Sequence, residues 1–288
     1  MKLVIKNSDT LKDKRLSVVE KLDPCLDSVW HYHSEFELLY ISSSFGIRFV
    51  GDNVSPFSPG DLVLVGSYLP HLWRNDMAYY NDEENEEIRK VKTIVTKFTK
   101  DFIGEDTFSN PEFSEIDRLL NESKYGISFG GEVSSELHKD LLELPNLSRP
   151  EQSIQLLNIL YQLSKTDNKV FLSSTDMRQF TKKHSYRIDA VIKYISDNYA
   201  VDMTLNDVAE VACMTTNSFC RFFKKMTNKS FTQFLNEVRI RNASRMLVQE
   251  NVSVSTVCYA VGYNSITNFN KQFKQIMGAT PKDYRLSI

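Results

Sequence analysis

The heptapeptide HYHSEFE places His31, His33 and Glu37 close together. On a strand, residues two apart face the same side, so His31 and His33 share a face. Imidazoles beside a carboxylate suit Zn, Fe, Ni or Mn. The same groups also hydrogen-bond one another in a core, or line a dry pocket for a small ligand. A second chemically competent set lies downstream and occurs twice. Asn217, Cys220, Arg221 and Lys224 fall on the outer face of one helical stretch. Ile266, Thr267, Asn270, Lys271 and Lys274 fall on the outer face of another. Amides and cations displayed on one helix face are the chemistry of contact with nucleic acid.

The elements that carry the downstream set are readable from spacing. In VSTVCYAVGYNSITNFNKQFKQIMGATPKDYR, Val254, Val257 and Val261 line one helix face. Gly262 stands where that helix must stop, because glycine enters the left-handed conformation without a Cβ penalty. Ser265 is a candidate N-cap for the next helix, which should bury Phe269, Phe273 and Ile276 and end at Gly278. Thr280-Pro281 restarts a third helix, with proline at the first position, where no N–H is needed. Two helices across a short glycine-containing turn are a helix-turn-helix unit. About fifty residues earlier the pattern recurs. Leu205, Val208, Ala209 and Ala212 line one helix, Thr215 is a cap, and Phe219, Phe222 and Phe223 form the buried side of the next. The amphipathic stretch Phe234 to Val248 lies between the units. Two second helices on one side of a domain would enter adjacent major grooves.

This region resembles the DNA-binding domain of the AraC/XylS family of bacterial transcription regulators. The resemblance covers roughly residues 184–288. It rests on Val257, Gly262-Tyr263, Phe269, Phe273-Lys274, Gly278, Pro281 and Tyr284-Arg285. Cys258 departs from it, standing where alanine is usual, and Asn228 stands where glycine is common. The resemblance implies that bases are read by Asn217, Cys220 and Arg221 in the first unit and by Ile266, Thr267, Asn270 and Lys271 in the second. Arginine suits guanine, asparagine suits adenine, and Ile266 can meet a thymine methyl. Lys224, Lys225 and Lys274 are expected on phosphates. Double-stranded promoter DNA is thus the expected partner. The family further implies an activator that engages RNA polymerase, and carbohydrate as the leading effector class.

At 288 residues there is room for about two domains, and a hydrophobic fraction of 41% is ordinary for a globular chain. The net charge of −2 hides an asymmetry. Residues 183–288 hold 14 Lys and Arg against 8 Asp and Glu, and the remainder 21 against 29. Basic charge in the C-terminal part suits DNA binding there. No apolar run is long enough for a transmembrane helix, and MKLVIKNSDT lacks the apolar core of a signal peptide. Cys25, Cys213, Cys220 and Cys258 show no metal spacing. A reduced, cytoplasmic setting without membrane association is expected.

Short strands are expected over Leu16–Lys21, Glu35–Ser42, Gly46–Val50, Asp61–Val65 and Val91–Phe98, punctuated by Gly51-Asp52-Asn53, Ser58-Pro59-Gly60 and an acidic loop at Asp82–Glu87. HYHSEFE, together with Pro59-Gly60-Asp61, Pro70-His71 and Asn75, resembles the two motifs of the cupin barrel. In metal-binding cupins the ligands correspond to His31, His33, Glu37 and His71. Gly60 lies much farther before His71 than in that pattern, so a ligand pocket without metal or other cofactor is the expectation here. Arg48 and Trp73 join those four as ligand-binding candidates, with Tyr32 and Arg74 behind them. Residues 112–166 turn helical. Leu137, Leu141, Leu144, Ile154, Leu157, Ile159, Leu160 and Leu163 form a stripe that must be buried on the barrel or, as the family implies, in a homodimer.

The overall expectation is an α+β chain. Residues 1–166 form a cupin-like jelly-roll barrel with an appended helix pair, 167–183 a linker, and 184–288 an all-α domain with two helix-turn-helix motifs. The function expected is a DNA-binding regulator and not an enzyme. A metal-dependent cupin enzyme fused to a DNA-binding module is the rival.

Overall fold

A computed structural model describes residues 15–23, 25–26, 30–76, 91–177, 185–248 and 252–286. The chain forms two compact units, with the boundary between Lys183 and His184. The fold is α+β. The N-terminal unit carries β1 (Leu16–Asp23), β2 (Phe36–Ser43), β3 (Gly46–Val50), β4 (Asn53–Phe57), β5 (Leu62–Val65), β6 (His71–Asn75), β7 (Val91–Phe98), β8 (Ile127–Phe129) and β9 (Lys169–Phe171). One sheet has six strands, in the order β1-β7-β2-β5-β8-β9, and the other has three, β4-β3-β6.

The central strands are apolar on both faces because both faces are covered. Leu39 and Ile41 of β2 join Val63, Val65, Val95, Val50, Phe57 and Trp73 in a core shared by the two sheets. Their neighbours Leu38 and Tyr40 point the other way and join Leu62, Leu64 and Ile94 in a core shared with helices. Those helices are α1 (Ser114–Glu122), α2 (Gly131–Glu136), α3 (His138–Glu143) and α4 (Arg149–Lys165). A capping box opens α4: the Glu151 carboxylate accepts the Ser148 N–H at 2.8 Å. Its stripe of Leu156, Ile159, Leu160 and Leu163 is fully buried, each side chain worth about 1.5–3 kcal/mol. The appended helices therefore cover their own barrel. Ile154, expected in the stripe, is 69% exposed, as is Tyr161 at 49%.

Strands β4, β6, β8 and β9 were not legible in the sequence. The expected turn at Gly51–Asn53 is shorter than its sequence suggests, because Asn53 already opens β4, and β9 falls in the stretch expected to be linker. There Lys169–Phe171 pairs antiparallel with β8 and extends the sheet. The acidic run at Asp82–Glu87, the first ten residues and the end of the linker lie outside the described residues.

The C-terminal unit is helical: α5 (Ser185–Asn198), α6 (Leu205–Val211), α7 (Thr216–Thr227), α8 (Phe231–Met246), α9 (Val254–Ala260), α10 (Ile266–Met277) and α11 (Pro281–Leu286). Ile188, Val191, Ile192 and Ile195 bury the inner side of α5. Phe219, Phe223, Phe231 and Phe234 pack edge to face or tilted around α7 and α8, with centroids 5.3–6.4 Å apart. Phe269, Phe273, Tyr263 and Cys258 fill the matching core around α10. Among the described residues no helix is long and apolar enough to cross a membrane.

Candidate DNA-reading surface and effector cavity

The two helix-turn-helix units, α6–α7 and α9–α10, close their turns identically. After α6, Cys213 N donates to Glu210 O at 2.8 Å and Met214 N to Ala209 O at 2.9 Å. After α9, Gly262 N donates to Tyr259 O and Tyr263 N to Cys258 O, both at 3.1 Å. Cys213 has φ 53° and Gly262 φ 87°, so each turn passes through the left-handed region. Thr215 then caps α7 by accepting from Ser218 N, and Ser265 caps α10 by accepting from Asn268 N, each at 3.4 Å. The inward faces are anchored by Phe219 and Phe223 and by Phe269 and Phe273, all fully buried. Ile276, expected to be buried with them, is only partly so.

Helical geometry then turns the other face outward. Asn217, Cys220, Arg221 and Lys224 on α7 are exposed, as are Ile266, Thr267, Asn270, Lys271 and Lys274 on α10. Ile266 is a large apolar side chain left 40% exposed at the start of α10, among polar neighbours. Every DNA-contacting residue expected from the sequence thus lies on one of two equivalent solvent-facing surfaces.

Arg239, which drew no attention in the sequence, fastens this domain. Its Nε donates to Tyr199 O at 2.7 Å and its Nη2 to Val201 O at 2.9 Å, and its guanidinium lies 5.6 Å from the Tyr263 ring centroid. Tyr263 Oη in turn donates to Asn236 Oδ1 at 2.9 Å, and burial raises its phenol pKa. Only a fold that brings the end of α5 beside α8 reveals this role.

In the barrel, the segment before β2 reaches β6 through a bridge. His31 N donates to His71 O at 3.1 Å, and His71 N to His31 O at 2.9 Å. This brings the two rings to 4.4 Å, with His33 5.1 Å from His71. His33 Nε2 is 3.0 Å from Glu37 Oε2, and His71 Nε2 is 3.9 Å from the same oxygen. One nitrogen or oxygen from each of His31, His33, Glu37 and His71 lies within 4.8 Å of the others. Strand register places Lys97 directly opposite Glu37, and its Nζ is 3.2 Å from Glu37 Oε2. Burial opposes ionisation of Glu37, but the hydrogen bond from His33, with His71 and Lys97 around it, holds its pKa well below the usual range. Burial and the neighbouring His31 hold the His71 pKa well below its usual value, so the ring is neutral.

The histidine protons follow from their partners. His71 Nδ1 is 2.8 Å from Leu69 O, which can only accept, so Nδ1 carries the hydrogen and Nε2 is a lone pair. Among the described residues that buried Nε2 has no hydrogen-bond partner, and neither has Trp73 Nε1. Both residues line a cavity of about 90 Å³ with His31, Glu37, Thr93 and Lys97. His33 stands behind Glu37 and is not part of the wall. Arg48 is not part of it either: its guanidinium donates to Asp61 and to Ser128 Oγ.

The cluster has the composition and the spacing of a metal site, and what stands against a metal is the cation already placed there. His33 is held from both sides, Glu35 O lying 3.0 Å from its Nδ1 and Glu37 Oε2 3.0 Å from its Nε2, so its Nε2 faces the carboxylate directly. Lys97 already sets a positive charge on the carboxylate that a metal would need.

A helix-turn-helix domain family matches residues 208–287. The chain carries an AraC-type DNA-binding domain. Its relatives are AraC/XylS-family regulators. It is 31% identical over 110 residues to the uncharacterized regulator YdeC of Bacillus subtilis, covering 38% of this chain and 37% of YdeC. It is 27% identical over 154 residues to the raffinose operon regulatory protein RafR of Pediococcus pentosaceus, covering 54% of each. It is 21% identical over 262 residues to the transcriptional activator RhaR of Mannheimia succiniciproducens, covering 88% of this chain and 86% of RhaR. The match thus spans about half or less of YdeC and RafR. Within this AraC-type domain both sequence departures are accommodated. Cys258 is fully buried in the alanine-like position, and Asn228 ends α7 at φ 56°.

Proposed function

We propose that this chain is a sequence-specific transcription regulator that reads double-stranded promoter DNA and senses a small molecule in its barrel. The observation that carries this is the pair of equivalent second helices, α7 and α10. Each is anchored by buried phenylalanines and presents amide, hydroxyl and cationic side chains to solvent. Arg221 reads a guanine, while Asn217 and Asn270 suit adenine. The helix N-termini and Lys224 and Lys274 engage phosphates.

A carbohydrate is the effector class we favour. Each buried polar atom without a partner costs about 1–3 kcal/mol, which a bound ligand can recover. A hydroxyl both donates to the His71 Nε2 lone pair and accepts from Trp73 Nε1–H. The name of RafR, a raffinose operon regulator, supports the same class. Binding would shift the chain between DNA-competent states only by its differential affinity for them. The direction proposed is activation through RNA polymerase, as a cytoplasmic homodimer. The exposed Ile154 and Tyr161 of α4 support a self-association surface. The rival enzyme reading requires a metal on the histidine cluster, and the Lys97 contact speaks against it.

The test is selection of bound sequences from random duplex DNA, followed by footprinting with and without a panel of sugars. Recovery of a motif with two half-sites about one helical turn apart supports the reading. Binding without sequence preference under every condition overturns it.

A further inference from the structure

We infer that Lys97 is the resident cation of the barrel: it excludes divalent metal from the His31–His33–Glu37–His71 cluster and so decides what class of ligand the cavity takes. The inference deepens the sensor reading of this site, but its metal measurement stands or falls whether or not the chain binds a sugar or a promoter.

Strand pairing fixes the contact. Glu37 on β2 and Lys97 on β7 are register partners, so their side chains leave the sheet together on one face. Their side chains are only 7% and 15% exposed, so solvent and salt screen the pair weakly. A metal ligated by Glu37 would sit about 2 Å from the carboxylate oxygen. The Lys97 ammonium lies 3.2 Å from that same oxygen. Two like charges would then share one weakly polar pocket, where repulsion is severe. With Lys97 in place, the cluster instead presents the His71 Nε2 acceptor and the Trp73 Nε1–H donor to the cavity. Those are partners for an uncharged hydroxylated molecule. Without Lys97, a buried carboxylate loses its ammonium and demands another cation. Three imidazoles stand beside it, and a metal can displace their protons on binding.

The experiment uses the tag-free full chain as wild type, Lys97→Met, and Lys97→Met with His71→Ala. Methionine keeps the length and apolar stem of lysine and removes the charge. Nickel is the probe, because the exposed Cys213 and Cys220 favour softer ions. Each protein is titrated by calorimetry, and its nickel content is measured after gel filtration. We expect substoichiometric nickel on the wild type. The Lys97→Met chain should hold one nickel ion per chain, at least about 100-fold tighter, and His71→Ala should abolish that gain. A wild-type chain that holds one nickel ion as tightly as the Lys97→Met chain overturns the inference. So does a Lys97→Met chain that unfolds cooperatively yet gains no affinity. Should methionine prevent folding, Lys97→Gln takes its place under the same criteria.

Discussion

The first and second helix-turn-helix units close the same turn with the same pair of backbone hydrogen bonds, one through cysteine and the other through glycine. Both residues have positive φ, so the left-handed backbone alone does not demand glycine. The surroundings decide. A Cβ on Gly262 would lie 2.7 Å from Ala200 O and 2.9 Å from both Ala200 C and Tyr199 O. Those are main-chain atoms at the end of the preceding helical segment and cannot swing aside. Cys213 is exposed, and its side chain points to water. One turn is packed under the chain that follows α5, and its equivalent is free at the surface.

Gly262→Ala should therefore be the most damaging change in the C-terminal unit. Left-handed strain adds to a backbone clash, and together they should cost about 3 kcal/mol or more. Urea denaturation of the full chain, followed by far-ultraviolet circular dichroism, measures the loss. A loss below about 1 kcal/mol would mean that the segment at Tyr199–Ala200 yields, and the contrast between the two turns would collapse.

Next come the two reading faces. Arg221→Ala should weaken binding to the selected site by about 1–3 kcal/mol and relax preference at one base position. Lys274→Ala should weaken binding to selected and random duplexes alike and lower the salt dependence by about one unit. Fluorescence anisotropy on both DNAs, across a range of salt, separates these outcomes. Equal losses on both DNAs for Arg221→Ala would make it a phosphate contact.

Much of the C-terminal unit was legible because helical periodicity is local. Phe219, Phe223, Phe269 and Phe273 announced the buried faces, the caps Thr215 and Ser265 their starts, and Asn228 and Gly278 their ends. The outward residues followed by geometry. Cys213 was missed because nothing in its own chemistry signals a left-handed turn; only superposition on the Gly262 repeat does. The barrel was less legible, since its strands are short and pair across long stretches of sequence. A lysine between Thr96 and Phe98 reads as a solvent-facing residue until the β2–β7 register sets it against Glu37. Arg48 looked like a ligand contact because Asp61 and Ser128, its partners, lie 13 and 80 residues away. His31, His33, Glu37 and His71 were found from spacing and motif. The partners of His33 and the lone pair on His71 needed coordinates.

Gly278 sharpens the contrast from within the second unit. Its φ is 78°, close to that of Gly262, but a Cβ there would meet nothing within 4 Å. Gly278→Ala should cost about 1 kcal/mol, the left-handed penalty partly offset by a less flexible unfolded chain. The gap between this value and that of Gly262→Ala isolates the clash from the backbone strain.

Cys213→Gly carries the smallest effect and reverses the sign. Glycine removes the Cβ penalty of the left-handed conformation, about 1–2 kcal/mol. It also frees the unfolded chain, which returns about 0.5–1 kcal/mol. The exposed thiol contributes little packing, so the net expectation is stabilisation by roughly 0.5 kcal/mol. Duplicate denaturation curves for wild type and variant resolve the sign when their slopes match. A clear loss of stability would mean that the Cys213 side chain holds the first turn through contacts that its exposure conceals. The two units would then be built by different means despite sharing their hydrogen bonds.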